Sequence, residues 1–402
     1  MRLQKNFSIS IVLFSVVMLQ ELQPAVAEDS KWVGKQFMNK HGAKHMRDNR
    51  TVPLEYVPPI FQVSKVDGNR LWTGHTWVEK QHVVLMKNAA EYYTGFIKKH
   101  PNNAWAYTQR GVARFENKYL KMAIKDFTKS IELKPRQTNA YLFRAHLWSL
   151  TKKSDKAIED YTKVIQLDPD NLHALYNRGN IWASMRVYDK AIKDFSTAIH
   201  LSSNYPEFFV NRGIVWGKKG KLTKAIKDFN EALRVNPNSA TAYYNLGKTW
   251  YLQEKYDKAI KYLSKAIELK PDYVDAFGMR GVSFNKKGDY AKAINDYNKA
   301  INLAPEKFHS FGNRAWLRAT CPDPKIRDGK LAIADATKAC QLSNWKNHTA
   351  FGILAAAYAE AGQFKDAVIW QTKALKLAPK SELIKYKSRL KLYRSNQPYR
   401  EK

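Results

Sequence analysis

The sequence is dominated by a repeat. From Ala104 to near Pro379 one outline returns about every 34 residues. A small residue marks the first half of each copy, at Gly111, Ala145, Gly179, Gly213, Gly247, Gly281, Ala315 and Ala355. An alanine marks the second half, at Ala123, Ala157, Ala191, Ala225, Ala259, Ala293, Ala332 and Ala367. Prolines close most copies, at Pro135, Pro169, Pro237, Pro271, Pro305 and Pro379, with Ser203 standing in once. A period of this length marks stacked supersecondary units, each packing only on its neighbours. The 402 residues therefore set the number of units rather than the number of separate cores.

A small residue, an Ala-x-x-x-aromatic step such as Ala123 to Phe127, and a closing proline at this period resemble the tetratricopeptide repeat (TPR) over roughly residues 86–402. The resemblance implies a mainly α fold, a right-handed TPR α-solenoid of about eight helix pairs. Its copies start near residues 104, 138, 172, 206, 240, 274, 308 and 348. The register begins half a copy early, because Ala89, Tyr93, Phe96 and Pro101 lie 34 residues before Ala123, Phe127, Ser130 and Pro135. Met86–His100 is thus expected as an orphan second helix, joined to what precedes it without a hinge. The seventh copy is lengthened through Cys321–Gly329. Beyond Pro379, residues 381–393 read as an amphipathic cap helix, which the end of a solenoid needs for solubility.

Residues 28–85 have a different texture. Val33–Phe37, Ile60–Val66, Leu71–Thr73, Thr76–Val78 and Val83–Val84 read as short strands, and Asp67-Gly68-Asn69 is a hairpin signal. They predict a five-strand miniature β-barrel with Trp72 and Trp77 partly buried, loosely similar to the small Src-homology-3-like modules of exported bacterial proteins. His41 and His45 stand four apart, yet no third ligand or intervening glutamate accompanies them, so a solvated basic loop is expected rather than a metal site. Before this region, Arg2 and Lys5 precede the apolar run Ile9–Leu19, and Ala25-Val26-Ala27 has the form of a cleavage site. Residues 1–27 are read as a signal peptide, the run being too short to span a bilayer, with no transmembrane segment in the mature chain. The protein is then exported, to the periplasm or beyond the cell.

Two cysteines in an exported chain invite a bridge, but Gly329 to Cys340 alone is about 16 Å of helix at 1.5 Å per residue, and a bridge needs Cα atoms within about 7 Å. Cys321 and Cys340 are expected as buried free thiols. The formal charge of +32 favours acidic partners, and export points to an anionic envelope polymer rather than nucleic acid. No phosphate-binding glycine loop, HExxH or GxSxG is present, and neither catalytic residue, cofactor nor metal is expected.

Internal comparison adds one contact. Arg110, Arg144, Arg178, Arg212, Arg280 and Arg314 precede the small residue in six copies, and those copies carry Asp126, Asp160, Asp194, Asp228, Asp296 and Asp335. The remaining two carry Leu246 with Tyr262 and Leu354 with Trp370. Arginine goes with aspartate and leucine with an aromatic, so the two positions should touch within a pair. Trp148, Trp182, Trp216 and Trp250, again 34 apart, fall where the family places a core tyrosine, and core is expected.

The resemblance further implies that first helices line a concave groove for an extended peptide or partner protein. Asn177, Asn211, Asn245 and Asn313 beside the paired arginines resemble the asparagine ladder that holds peptide backbone, with Tyr176, Asn180, Tyr244 and Lys248 nearby. The alternative is that these asparagines bridge within the array. On the second helices Lys190 with Lys193, Lys224 with Lys227 and Lys258 with Lys261 recur one turn apart, an outward stripe suited to a polyanion.

Overall fold

The computed structural model describes residues 34–40, 43, 45–47, 50–52, 60–67, 69–74 and 76–401. Residues 1–27, with the expected signal and its cleavage site, and His41 lie outside the described residues. The chain divides into two compact units, one ending at Ser202 and the other beginning at Ser203.

The first unit opens with eight short strands: β1 (Gln36–Asn39), β2 (His45–Arg47), β3 (Arg50–Val52), β4 (Ile60–Gln62), β5 (Lys65–Asp67), β6 (Arg70–Trp72), β7 (Trp77–Glu79) and β8 (Val83–Leu85). They form two antiparallel sheets, ordered β4-β1-β8 and β3-β2-β7-β6-β5, where a single five-strand barrel was expected. Ile60–Val66 is not one strand. Val63 donates to the Lys35 carbonyl and Ser64 to that of Trp72, so the chain changes sheets between β4 and β5. The segment read as a solvated loop instead supplies β2, because His45 is buried against Phe61, their rings edge to face at 5.8 Å. Phe37, Phe61, Val63, Leu71, Val78 and Val83 form the inner core. Alternation along β1 turns the next residue, Met38, to the opposite face, where it packs on Met86, Ala89 and Tyr93 of α1 (Met86–Lys99). The Tyr93 hydroxyl donates to the Asn39 carbonyl, which ties strands to helices.

Three helix pairs complete this unit: α2 (Ala104–Glu116) with α3 (Leu120–Leu133), α4 (Thr138–Leu150) with α5 (Ser154–Leu167), and α6 (Leu172–Ser184) with α7 (Tyr188–Leu201). The second unit holds five more: α8 (Pro206–Lys218) with α9 (Leu222–Val235), α10 (Ala240–Leu252) with α11 (Tyr256–Leu269), α12 (Val274–Lys287) with α13 (Tyr290–Leu303), α14 (Phe308–Thr320) with α15 (Gly329–Leu342), and α16 (His348–Glu360) with α17 (Phe364–Leu377). The capping helix is α18 (Leu383–Arg394).

Helices of 13 or 14 residues are marginal alone, so packing must hold them. Asn103, Asn171, Ser239 and Asn347 cap four first helices, and Pro206 supplies the first position of another. All eight periodic alanines of the second helices are fully buried. They let each second helix approach its first helix closely, and in five pairs an aromatic (Phe127, Tyr161, Phe195, Phe229 or Tyr297) follows one turn on, with Leu263 against Gly247 in another. A methyl group built on Gly111 would lie 2.6 Å from the Phe127 ring, so that contact needs glycine. The long turn of the seventh pair is pinned by Arg327, which donates to the carbonyls of Cys321 and Pro322 and to Glu360 Oε1. Cys321 and Cys340 are buried and unbridged. Burial pushes the Cys340 thiol up to about 12.

The arginines and aspartates meet. Arg178 donates from Nε and Nη2 to the two oxygens of Asp194 at 2.9 and 2.7 Å, with the side chains 17% and 5% exposed. Arg110–Asp126, Arg144–Asp160, Arg212–Asp228, Arg280–Asp296 and Arg314–Asp335 repeat the fork. The third guanidinium nitrogen often reaches the preceding second helix: Arg144 to Thr128, Arg178 to Thr162, and Arg280 to Ser264. Each of these forks thus joins its own pair and ties it to the one before. In one of the two remaining copies Leu354 and Trp370 share an apolar cluster.

Candidate functional site

First helices of successive pairs approach one another. Contacts run from α2 to α4 in the first unit, and from α8 through α10, α12 and α14 to α16 in the second. That places first helices on the inner side of each stack. The asparagines stand there. Asn177 and Asn245 each give one amide N–H to the carbonyl four residues back, to His173 and Thr241 at 2.9 Å. One donor is therefore committed within the helix, while the second N–H and the oxygen have no hydrogen bond among the described residues. All four asparagines of the row are half-buried. The Tyr176 ring lies 6.2 Å from Phe195. Tyr244 leans on Tyr273 at 5.0 Å, and burial with Asp275 and Tyr273 beside it pushes its phenol up to about 12. Lys248 is exposed. Met279 of α12 interrupts the asparagine series between α10 and α14.

The lysine stripe has more structure than the sequence suggested. All six lysines are exposed, but Lys190, Lys224 and Lys258 sit over Trp182, Trp216 and Trp250 at 4.3–4.4 Å from the ring centres. Lys153 and Lys156 cover Trp148 in the same way. These tryptophans are half-buried where full burial was expected: Trp148 and Trp250 pack against core clusters, and a lysine covers the ring of each of the four. Lys193, Lys227 and Lys261 have no such partner among the described residues.

Another occupied surface had no sequence signal. After α18, Asn396 takes a left-handed conformation (φ 56°). Its N–H bonds the Tyr393 carbonyl and that of Gln397 bonds Leu392, a Schellman turn, with Pro398 stiffening the step into the last residues. The chain reverses and lies on the first helices of the second unit. Tyr399 places its ring 5.7 Å from that of Trp316 and 4.7 Å from the Arg389 guanidinium. Arg400 Nη2 contacts Glu360 Oε2 at 2.5 Å, an ion pair without the alignment of a hydrogen bond, and Nη1 donates to the Ala319 carbonyl. Glu401 accepts from Lys286 Nζ at 2.8 Å and from Trp316 Nε1 at 3.2 Å, while its N–H donates to the Thr320 carbonyl at 2.8 Å. That hydrogen bond to Glu401 raises the Lys286 pKa.

Among the described residues no group of three His, Cys, Asp or Glu side chains could hold a metal, and no helix is long and apolar enough to cross a membrane. His45 Nδ1 lies 2.7 Å from the Thr76 hydroxyl and Nε2 2.7 Å from Asn39 Oδ1, which occupies both ring nitrogens.

Residues 106–137, 138–171, 240–273, 274–307 and 348–381 match the tetratricopeptide repeat family, and residues 217–253 match the TPR repeat. Among solved structures, YrrB, "a TPR protein with an unusual peptide-binding site", is 26% identical over 46% of this chain and 95% of its own, with a TM-score of 0.39. MamA is 25% identical over 42% of this chain and 92% of its own, with a TM-score of 0.39. A tetratricopeptide repeat protein from Parabacteroides merdae is 16% identical over 76% and 99%, with a TM-score of 0.48. No curated protein matches the chain.

Proposed function

Because the chain is a tetratricopeptide-repeat protein, we propose that it is an exported, non-enzymatic scaffold that holds an extended segment of a partner protein on its first-helix face. The observation that carries this reading is the inner row of half-buried asparagines, in which Asn177 and Asn245 each spend one amide N–H within their own helix. An amide offers donor and acceptor to a peptide bond whatever the side chains. Tyr176, Asn180, Tyr244 and Lys248 would add stacking and charge. The test is affinity capture from envelope extract with mature residues 28–402, washed at low and high salt. A discrete protein that survives high salt and is lost with Asn211→Ala/Asn245→Ala supports the reading. Retention by that variant sinks it.

The exposed Lys193, Lys227 and Lys261, with the +32 charge, favour a second reading, in which the chain holds an anionic cell-envelope polymer. Such binding would fall steeply with salt through counterion release. It would be lost on charge reversal at those lysines and not on change of the asparagines.

A further inference from the structure

Tyr399, Arg400 and Glu401 each meet a complementary group on the first-helix face. The aromatic ring touches both an indole and a guanidinium, the arginine lies against Glu360, and the carboxylate meets Lys286 and the Trp316 N–H. The peptide N–H of Glu401 finds the Thr320 carbonyl at the C-terminal end of α14, a helix-terminal acceptor. Arg389 is the telling residue beneath. It is 6% exposed, its Nε has no hydrogen bond, and its guanidinium is bounded by the rings of Trp316, Tyr386 and Tyr399. Among the described residues no carboxylate pairs with it, and a buried guanidinium left so is costly for packing alone. It makes sense as one wall of a slot for an aromatic side chain, where a desolvated cation faces a ring.

We propose that the face over α12, α14 and α16 is a recognition site for an extended protein segment carrying aromatic, arginine and glutamate in succession. Residues 397–401 are its tethered ligand, and a partner segment of the same chemistry binds by displacing them. The inference rests on the reading of the first helices as a peptide-binding face, but it names a separate part of that face and the ligand chemistry. Displacement is feasible because the hold is light: Gln397 is exposed and Pro398–Glu401 are half-buried. The Lys286–Glu401 pair, with side chains 37% and 22% exposed, adds little by itself. What favours the resident segment is its short tether to α18, equivalent to a local concentration on the order of millimolar.

The probe is a fluorescent synthetic peptide with the sequence of residues 397–401, titrated by anisotropy. It is titrated into the full chain and into the full chain carrying Tyr399→Ala/Arg400→Ala. The variant, with its own segment released, should bind about tenfold tighter or better. Adding Trp316→Ala should remove that gain. Equal affinity for both proteins, or no binding to a released variant with unchanged circular dichroism, overturns the proposal. Should that variant misfold, Glu401→Lys removes the acceptor shared by Lys286 and the Trp316 N–H, sets two lysines together, and should still raise peptide affinity; no rise overturns the proposal equally. Capture through Asn211 and Asn245 decides the asparagine-row reading and this titration decides the tethered-ligand one, so either can fall alone.

Discussion

The strand-rich region and the helix pairs both bury polar side chains, and they do it in opposite ways. In the pairs the buried carboxylates are charged and partnered, each of the six aspartates taking both prongs of an arginine fork. Among the described residues of the strand-rich region, the one buried titratable polar group is a neutral imidazole, set between the buried Asn39 and Thr76. Asn39 Oδ1 can only accept, so His45 Nε2 carries the proton and Nδ1 accepts from the Thr76 hydroxyl. Burial, and then the nearby His82, lower the His45 pKa to about 4. A pair of opposite charges compensates itself and can be copied along an array. A lone base must stay neutral, and that ties its region to pH.

The largest expected effect would break the first half of this contrast. Arg178→Leu strands a buried carboxylate and should cost about 3–5 kcal/mol. Adding Asp194→Tyr recreates the combination of Leu246 and Tyr262 and should restore most of the melting temperature. A double variant no more stable than the single one would show that the fork is not a closed unit.

The next sharpens the second half. The folded pKa of His45 lies below its unfolded value, so between pH about 6.5 and about 4 the unfolded state binds more protons. Stability of the strand-rich region is therefore full above about 6.5 and falls as pH drops towards 4, by up to about 3 kcal/mol. Hydrogen exchange of the β1, β2 and β7 amides across this window would show it. In His45→Gln the slope should flatten, and an unchanged slope would acquit the imidazole.

The smallest effect concerns strain that the pairs carry and repeat. The turn within a pair uses a left-handed residue at Lys118, Lys152, Arg186 and Glu254, where other copies have Gly220, Gly288 and Gly362. Such a conformation costs a side-chain-bearing residue about 1 kcal/mol. Lys118→Gly should raise stability by about 0.5–1 kcal/mol in a thermal melt, and Gly220→Lys should lower it by a similar amount. No change in either would mean the turn relaxes freely.

The same contrast explains what could be read in advance. The helix pair comes eight times, so the alanine series marks the core line and the joint change from Arg/Asp in six copies to Leu/aromatic in two marks a contact. Nothing in residues 34–85 is repeated, and strands of three residues take their pairing from distant partners. Ile60–Val66 looks like one strand because its composition is uniform, while the bonds that divide it go to Lys35 and Trp72. The asparagine row was legible as a position but not in its bonds to His173 and Thr241. The tryptophans were legible by period but not by depth, since the covering lysines lie on another helix. The seating of residues 397–401 had no sequence signal at all. Five residues have no period, and their partners Lys286, Trp316 and Glu360 are scattered over three helices.

Helix pairs stacked on neighbours fold through contacts close along the chain, which favours fast assembly. The bond from Glu401 to Lys286 joins residues 115 apart in sequence. Its loop closes only after α13 to α18 are in place, so it belongs to the last stage of folding and leads the first stage of native-state opening. An otherwise nearest-neighbour array thereby has one long-range latch, and α12 to α18 become a cooperative block that the remaining pairs of the second unit lack.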